Sequence, residues 1–555
     1  MLIKDRIYNI FLEACRILAS DGQLPGLDVE KLYIEVPKDL RNGDFSTPFA
    51  LENARILKKS PLLIAEIIKE YLEGEPLFAK IEIAKPGFIN FFLSSNFLSN
   101  NLFAILESKD DYGKIKKDNP KKINIEFVSA NPTGPLNIVS ARAAAIGDSL
   151  ANLLEASGDL VDREFYVNDY GNQVDLLGQS VLARLKELRG ESVEFPEDGY
   201  QGEYLFDIAR HLDENYKDQI DQIKDQEELA KFISRQAIEY NVQGQKEDLA
   251  SFNVVFQNWF RENQLHQEGL VLKTFNILEE KKVIYDQENK KIFKSTRYGD
   301  DKDRVVIRDD GRPTYLLADI AYHNNKLERG YDLLIDIWGP DHHGYIKRLQ
   351  GAMEVLGLST DDFQVLIAQQ VNLISEGEIV KMSKRLGQFS TMKDLLNEIG
   401  PDVARYFFVM RSLESHLDFD LVLAKKNSSE NPVFYLQYAH ARICSIFQEA
   451  AKRGIVYNFQ EISSSPLQVV EAITLLKKLL IFPDEIFEAA EAKEPHRLAS
   501  YLLKLAQTFH KFYTEHRIIS EDQEKTNSFL GLAEGTRIVL RNGLKLLGVS
   551  APRQM

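Results

Sequence analysis

Apolar positions along the chain change period several times, and each change marks a boundary. Leu2, Ile3, Ile7, Ile10, Phe11 and Ile17 recur at helical spacing among charged residues, which predicts an amphipathic opening helix. KLYIEVP reads as a strand-like run. GDFSTPFALENARILKKSPLLIAEIIKEYL reads as a turn feeding two helices, and KIEIAKPGFINFFLS alternates with period two, as strands do. Residues 1–113 are therefore expected to form a small α+β domain. The polar stretch GKIKKDNPKK then breaks the apolar pattern and makes 114–122 a linker. A short buried strand, Ile123 to Val128, leads into a turn of Asn, Pro, Thr and Gly. A helix of small residues, SARAAAIGDSLANLLEASG, and a second strand, REFYVND, follow. Strand, turn, helix and strand in that order are the first half of a parallel α/β unit. A long polar, mostly helical stretch at about 180–290 reads as an insertion. Strand and helix alternate again in RVVIRDDGRPTYLLADIAYH, YDLLIDIWGPDHHG and FQVLIAQQVNL, so 123–420 is expected to be one α/β domain. FYLQYAHARICSIFQEAAK, VVEAITLLKKLL and LASYLLKLAQTFHKFY make 421–555 an all-α terminal domain.

Length and composition add limits. The chain has 555 residues, which at roughly 150 residues per domain means three or four domains. A hydrophobic fraction of 44% and a charged fraction of 27% can bury several cores and exclude a largely disordered chain. Cys15 and Cys444 form neither a disulfide framework nor, alone, a four-ligand zinc site, which points to a reducing compartment. The net charge, 68 − 84 = −16, excludes indiscriminate nucleic-acid coating, so any RNA site must be a local basic surface. Lys114, Lys116, Lys117, Lys121 and Lys122 are one candidate, with a solvated linker as the alternative. No window approaches the apolar length of a membrane span, and the N-terminus lacks a signal-peptide core, so a cytoplasmic protein is expected.

Four motifs can carry chemistry. In KMSKR, Lys381 and Lys384 stand three apart on a glycine-flanked loop, with Met382 and Ser383 between them, and can follow charge developing on a polyphosphate. The turn NPTGPLNIVSARAAAIGD opens a helix whose free N–H groups suit a phosphate. WGPDHHGYIKR carries Gly339, Asp341, His342 and His343 after an apolar strand, where parallel sheets bind ligands. Ligand recognition or a hydrogen-bonded turn is favoured there over a metal, because no third ligand cluster stands out. Tyr315 and Asp319, four apart in PTYLLADIAYH, share a helix face and can grip one cation.

In this order, the segments resemble the arginyl-tRNA synthetase family of class I synthetases over essentially the whole chain. EFVSANPTGPL, REFYVNDYGNQ, QKEDLASFNVVFQNWF, RPTYLLADIAYH, WGPDHHGYIKRLQ, VKMSKRLGQFSTMKDLLNEIGPDVARYFF and NPVFYLQYAHARICSIF all carry the resemblance. GDFSTPFALENARIL and PGFINFFLS are similar to the family's N-terminal tRNA-contacting domain, and the end, LLGVSAPRQM, to its anticodon-binding domain. The resemblance implies an α/β fold: a Rossmann-type parallel-sheet catalytic domain with a helical insertion, a small α+β N-terminal domain and an all-α C-terminal domain. It also implies an arginine–tRNA ligase that uses ATP, with Mg²⁺ accompanying the nucleotide and no zinc. The partners would be tRNA, arginine and ATP, with no membrane, and the chain a monomer. Glu126, Asn131, Tyr315, Asp319 and Gln369 map onto arginine-binding positions. Glu126 and Asp319 suit the guanidinium's donor fork, and Asn131 and Gln369 would orient the amino acid. Gly339, Asp341, His342 and His343 map onto the nucleotide side, and Lys381 to Lys384 onto the mobile signature loop.

One segment departs from the family pattern. A His-x-Gly-His signature normally follows NPTGPL; here Asn137, Ile138, Val139 and Ser140 stand there. Both imidazoles are gone, and Val139 adds a side chain where adenine would pack on glycine. Asn137 and Ser140 can still donate hydrogen bonds to phosphate, but neither carries a histidine's charge. Loss of one transition-state donor costs about 3 kcal/mol. A catalytically inactive paralogue that holds tRNA or arginine is therefore the alternative, and a lysine-like substrate is a further one. Phe434, Tyr435 and Tyr438 are candidates to stack on unpaired bases, or core residues. The AKKNSSENP region, read as helical, is a second basic candidate for RNA.

Overall fold

The computed structural model describes residues 2–380 and 391–555. At its centre lies a five-stranded sheet of β1 (Lys122–Glu126), β2 (Leu160–Val167), β3 (Asn258–Arg261), β4 (Leu333–Trp338) and β5 (Phe363–Ile367), in the spatial order β5-β4-β1-β2-β3. All neighbours run parallel. From β1 the chain winds outward through β2 to β3, then crosses back to lay β4 on the other side of β1. That reversal between β1 and β4 is a topological switch point, where the carboxyl ends of the strands open a crevice. The Rossmann-type expectation holds. Ile123, Ile125, Leu334 and Ile335 are buried because helices cover both faces of such a sheet.

Helix α1 (Ile138–Ala156) follows β1 and packs closely on it through Ala141, Ala144, Ala145 and Gly147. A Cβ on Gly147 would stand 2.3 Å from the Phe127 ring. The insertion comprises helices Asn172–Leu188, Tyr204–Gln222 and Gln226–Ser251. It is shorter than the sequence pattern suggests. NWFR is β3, paired from Glu164↔Asn258 to Val167↔Arg261, and its four residues are too few to show a period. Beyond it, Ile284–Gln287, Lys290–Phe293 and Arg304–Ile307 form an antiparallel sheet. Its first turn places Glu288 and Asn289 at positive φ, as two-residue hairpins require.

In the N-terminal unit, helix Ile3–Ser20 buries Ile3, Ile7, Phe11 and Leu18. It packs on an antiparallel sheet of Phe45–Thr47, Phe78–Ala84 and Phe88–Leu93, the last strand central. KLYIEVP is not a strand: only Glu35 bridges to Ser46, and Tyr33 and Val36 are exposed, so its apolar residues find no sheet to cover. In the linker, Lys117 pairs with Asp159 at 2.6 Å and Lys114 with Asp111 at 2.7 Å. Much of that basic charge is matched internally.

The C-terminal unit consists of helices Pro432–Lys452, Val470–Leu480, Phe482–Glu491, Pro495–Glu515 and Gln523–Leu546. AKKNSSENP is mostly a loop rather than a helix. Asn431 ends it by capping the following helix, whose first residue is Pro432. Asp484 accepts hydrogen bonds from the N–H groups of Ile3 and Lys4, each at 3.1 Å, and so ties the opening helix to the helical unit. Among the described residues no helix is long and apolar enough to cross a membrane.

Candidate active site

Of the expected site residues, Glu126, Gly339 and Gln369 stand at or just past the carboxyl ends of β1, β4 and β5. Glu126 closes β1. The next two residues that bend the chain, Val128 and Ser129, have φ of 69° and 39°, a costly conformation for a β-branched side chain. Ser129 holds this turn in place. Its hydroxyl donates to Glu126 Oε1 at 2.8 Å and accepts from the N–H of Tyr166 on β2 at 3.1 Å. Opposite stands α2 (Tyr315–Glu328), which presents Tyr315 and Asp319 from one face. Tyr315 is exposed at the mouth. The Tyr345 hydroxyl donates to Asp319 Oδ2 at 2.6 Å, while Oδ1 has no partner among the described residues. Burial raises the Asp319 carboxyl above its ordinary range, against the Tyr345 hydrogen bond.

Beneath these carboxylates lies an interior ion network. Glu126, His323 and Asp336 bring their ligand atoms within 4.8 Å of one another, a metal-like spacing. An ammonium is already placed among them. Lys326 Nζ lies 2.6 Å from Glu126 Oε2 and 3.0 Å from Asp336 Oδ1, and His323 Nε2 lies 2.7 Å from Asp336 Oδ2. Burial opposes the Asp336 charge, but Lys326 and His323 hold its carboxyl down at about 2. Alongside, Arg329 grips Glu164 through both carboxylate oxygens, at 2.5 and 2.8 Å.

The NPTGP turn is braced by the insertion. Tyr204 donates to Thr133 O at 2.6 Å, Asn241 to Pro132 O at 2.8 Å, and Gln245 to Gly134 O at 3.0 Å. Asn131 points its amide to Gln173 at 2.8 Å. Asn137 is the N-cap of α1: its Oδ1 accepts from Ser140 N at 2.8 Å and from the Ser140 hydroxyl at 3.1 Å. The pair therefore satisfies the helix end first. Asn137 is exposed, and its Nδ2 has no partner among the described residues. Gln369, just past β5, is positioned through its backbone by a fully buried arginine of α1. Arg142 Nη1 donates to Gln369 O at 2.8 Å, and burial lowers its guanidinium to about 10. Gly339 leads β4 into a short turn, Pro340–Tyr345, that carries Asp341, His342 and His343. Asp341 and His342 face solvent. Lys381, Met382, Ser383 and Lys384 lie outside the described residues.

The sequence reading missed several residues of this pocket. Glu262, immediately after β3, is buried, and burial pushes its carboxyl up to about 7, with Asp319 and Asp169 adding to the effect and the Tyr166 hydroxyl opposing it. Its signal was hidden because β3 was read as part of the insertion. Tyr345 and Lys326 sat in plain view in HHGYIKR and NNKLERG, but only the fold brings them to Asp319 and Glu126.

Likeness to known proteins covers most of the chain. Residues 3–93 match the arginyl tRNA synthetase N terminal domain, 101–406 the catalytic domain of tRNA synthetases class I (R), and 436–555 the DALR anticodon binding domain. The catalytic-domain match alone spans more than half of the chain. The chain belongs to the arginyl-tRNA synthetase family. A relative from Leptospira interrogans, named arginine–tRNA ligase, is 48% identical over 100% of this chain and 98% of its own. One of the same name from Bacillus subtilis is 43% identical over 100% and 98%. The Thermus thermophilus arginyl-tRNA synthetase structure superposes with a TM-score of 0.76 over 100% of both chains at 20% identity, a likeness of fold. Nothing in this family likeness supports an inactive paralogue.

Proposed function

We infer that this chain is an arginine–tRNA ligase, and that arginine binds with its guanidinium between Glu126 and Asp319. The carrying observation is a pair of carboxylates from β1 and α2 at the switch point, in a chain similar to arginine–tRNA ligases from end to end. Asn131 and Gln369 orient the amino acid, and Tyr315 covers the mouth. ATP, entering with Mg²⁺, lies along Asn137, Ser140, Gly339, Asp341, His342 and His343, with Lys381 and Lys384 toward the leaving pyrophosphate. An oxygen of the arginine carboxylate attacks the α-phosphorus, and the bond to pyrophosphate breaks. A 2′- or 3′-hydroxyl of the terminal adenosine then attacks the carbonyl and AMP leaves. The protein's work is positioning and charge stabilisation, with no covalent intermediate on a side chain. The chain acts as a monomer in the cytoplasm.

The test is arginine-dependent ATP–pyrophosphate exchange, with and without cognate tRNA, followed by charging. Exchange that requires tRNA, together with charging, is the expected result. No exchange in either condition, with tRNA still bound, would overturn the assignment and make Asn137 to Ser140 the cause.

A further inference from the structure

One of the two carboxylates assigned to the guanidinium, Glu126, is paired with an interior ammonium. Lys326 has no solvent exposure. Its Nζ bridges Glu126 and Asp336 and sits 4.5 Å from the centre of the Tyr322 ring. The second oxygen of Asp336 meets His323 Nε2, and His323 Nδ1 meets the main-chain carbonyl of Asp319 at 2.8 Å. The run Glu126–Lys326–Asp336–His323–Asp319 thus links one substrate carboxylate to the backbone of the other. The remaining charged and titratable neighbours are accounted for. Glu164 is held by Arg329 and Tyr322, and Glu262 stands beyond Tyr166. Lys326 is therefore the one interior cation placed against Glu126 among the described residues.

We propose that Lys326 is a positioning and specificity-determining residue for the amino-acid substrate, filling the side of Glu126 that a substrate amine would take. The proposal rests on the arginine reading of the pocket. An alkylammonium is a compact point charge that must approach a carboxylate directly. Here it would share Glu126 with Lys326 Nζ, and two like charges around one carboxylate repel in an interior of low dielectric. A guanidinium spreads its charge over a planar fork. It reaches the free Oδ1 of Asp319 with one edge and Glu126 with another, without crowding Nζ. Lys326 also lets Glu126 and Asp336 be charged together. Without it, two carboxylates share a buried space, and one of them takes a proton.

Two variants test this, Lys326→Met and the charge-balanced Lys326→Met/Asp336→Asn. Exchange is measured in the presence of tRNA with arginine and with lysine across pH, alongside tRNA binding. In Lys326→Met the arginine KM rises about tenfold or more while kcat changes far less, as expected when ground-state binding is removed. The acid limb of kcat/KM moves to higher pH. In the double variant that limb returns toward the parent's, but the lysine-to-arginine ratio of kcat/KM stays raised about tenfold or more. tRNA affinity is unchanged in both. If the double variant restores the parent's KM and amino-acid ratio, Lys326 only balances charge and the proposal fails. If both fold and keep the parent's KM, ratio and pH profile, it fails as well. If the single variant does not fold, the double variant decides. A parent enzyme whose exchange is independent of arginine would instead sink the reading of the pocket, before any variant is made.

Discussion

At the residue scale, one side chain often has two jobs, and substitutions can separate them. Asn137 both caps α1 and offers Nδ2 to a phosphate. Asn137→Ala removes both and costs about 1 kcal/mol of stability. Asn137→Asp keeps the cap, since a carboxylate oxygen accepts from Ser140 N as well, yet it removes the donor and adds a negative charge. Its unfolding midpoint should stay near the parent's while the KM for ATP in the exchange assay rises about tenfold, a loss of roughly 1.4 kcal/mol. An unchanged KM would leave Asn137 a cap alone. Glu262 gives a pH signature. Its carboxyl is raised by burial from the ordinary glutamate range to about 7, so the native state holds this proton more tightly than the unfolded chain. Its contribution to stability is present at low pH and is lost as pH rises toward about 7. Glu262→Gln should therefore raise the melting temperature relative to the parent at pH 8 but not at pH 4.5, and a difference independent of pH would refute the buried, charged carboxylate. The paired residues Tyr315 and Asp319 were legible from spacing, because i and i+4 share a helix face. Lys326 and Tyr345 were not, because their partners are set by which elements meet in space.

At the element scale, long periodic runs announced themselves and short strands did not. Helix Ile3–Ser20, β1, α1 and the terminal helices follow from apolar period and small-residue content, because burial repeats along them. The four-residue β3 and the hairpin Ile284–Phe293 were lost in polar surroundings, since an edge strand and a small sheet bury too little to show a pattern. KLYIEVP erred the other way: it has strand residues but no sheet to join. One tight element contact is that of α1 on Phe127, where Gly147 leaves room only for hydrogen. Gly147→Ala should destabilise the catalytic domain by about 1–3 kcal/mol through overpacking, although alanine favours a helix. Because Phe127 follows Glu126, the same change should raise the arginine KM. Thermal unfolding and exchange kinetics on one preparation check both, and a more stable variant would show that the helix relaxes outward at no cost.

At the scale of the molecule, an acidic chain of net charge −16 must bind a polyanion through local basic surfaces, so tRNA affinity should fall steeply between low and physiological salt. A flat titration would contradict that. The units meet at a junction that no local pattern could reveal. Arg405 is wholly buried. Its Nη2 lies 2.6 Å from Asp148 Oδ2 on α1, Nη1 donates to Phe252 O at the end of the insertion at 2.8 Å, and Nε donates to Leu547 O past the last helix at 2.9 Å. Gly548 packs so tightly there that a Cβ would stand 2.2 Å from Arg405 Cζ. One guanidinium therefore fastens the catalytic helix, the insertion and the C-terminal segment together. Arg405→Met keeps the apolar stem but leaves Asp148 with Arg163 and a 3.3 Å contact from Asn152, and removes the guanidinium donor from two buried carbonyls. Breaking one side of a buried ion pair costs about 3–5 kcal/mol. The variant should melt earlier, and carboxypeptidase should trim the segment after Leu547 at a rate the parent does not show. If the tail stays protected while the melting temperature falls, the junction holds the catalytic domain but not the terminus, and the joint between the units must lie in other contacts of the last helix.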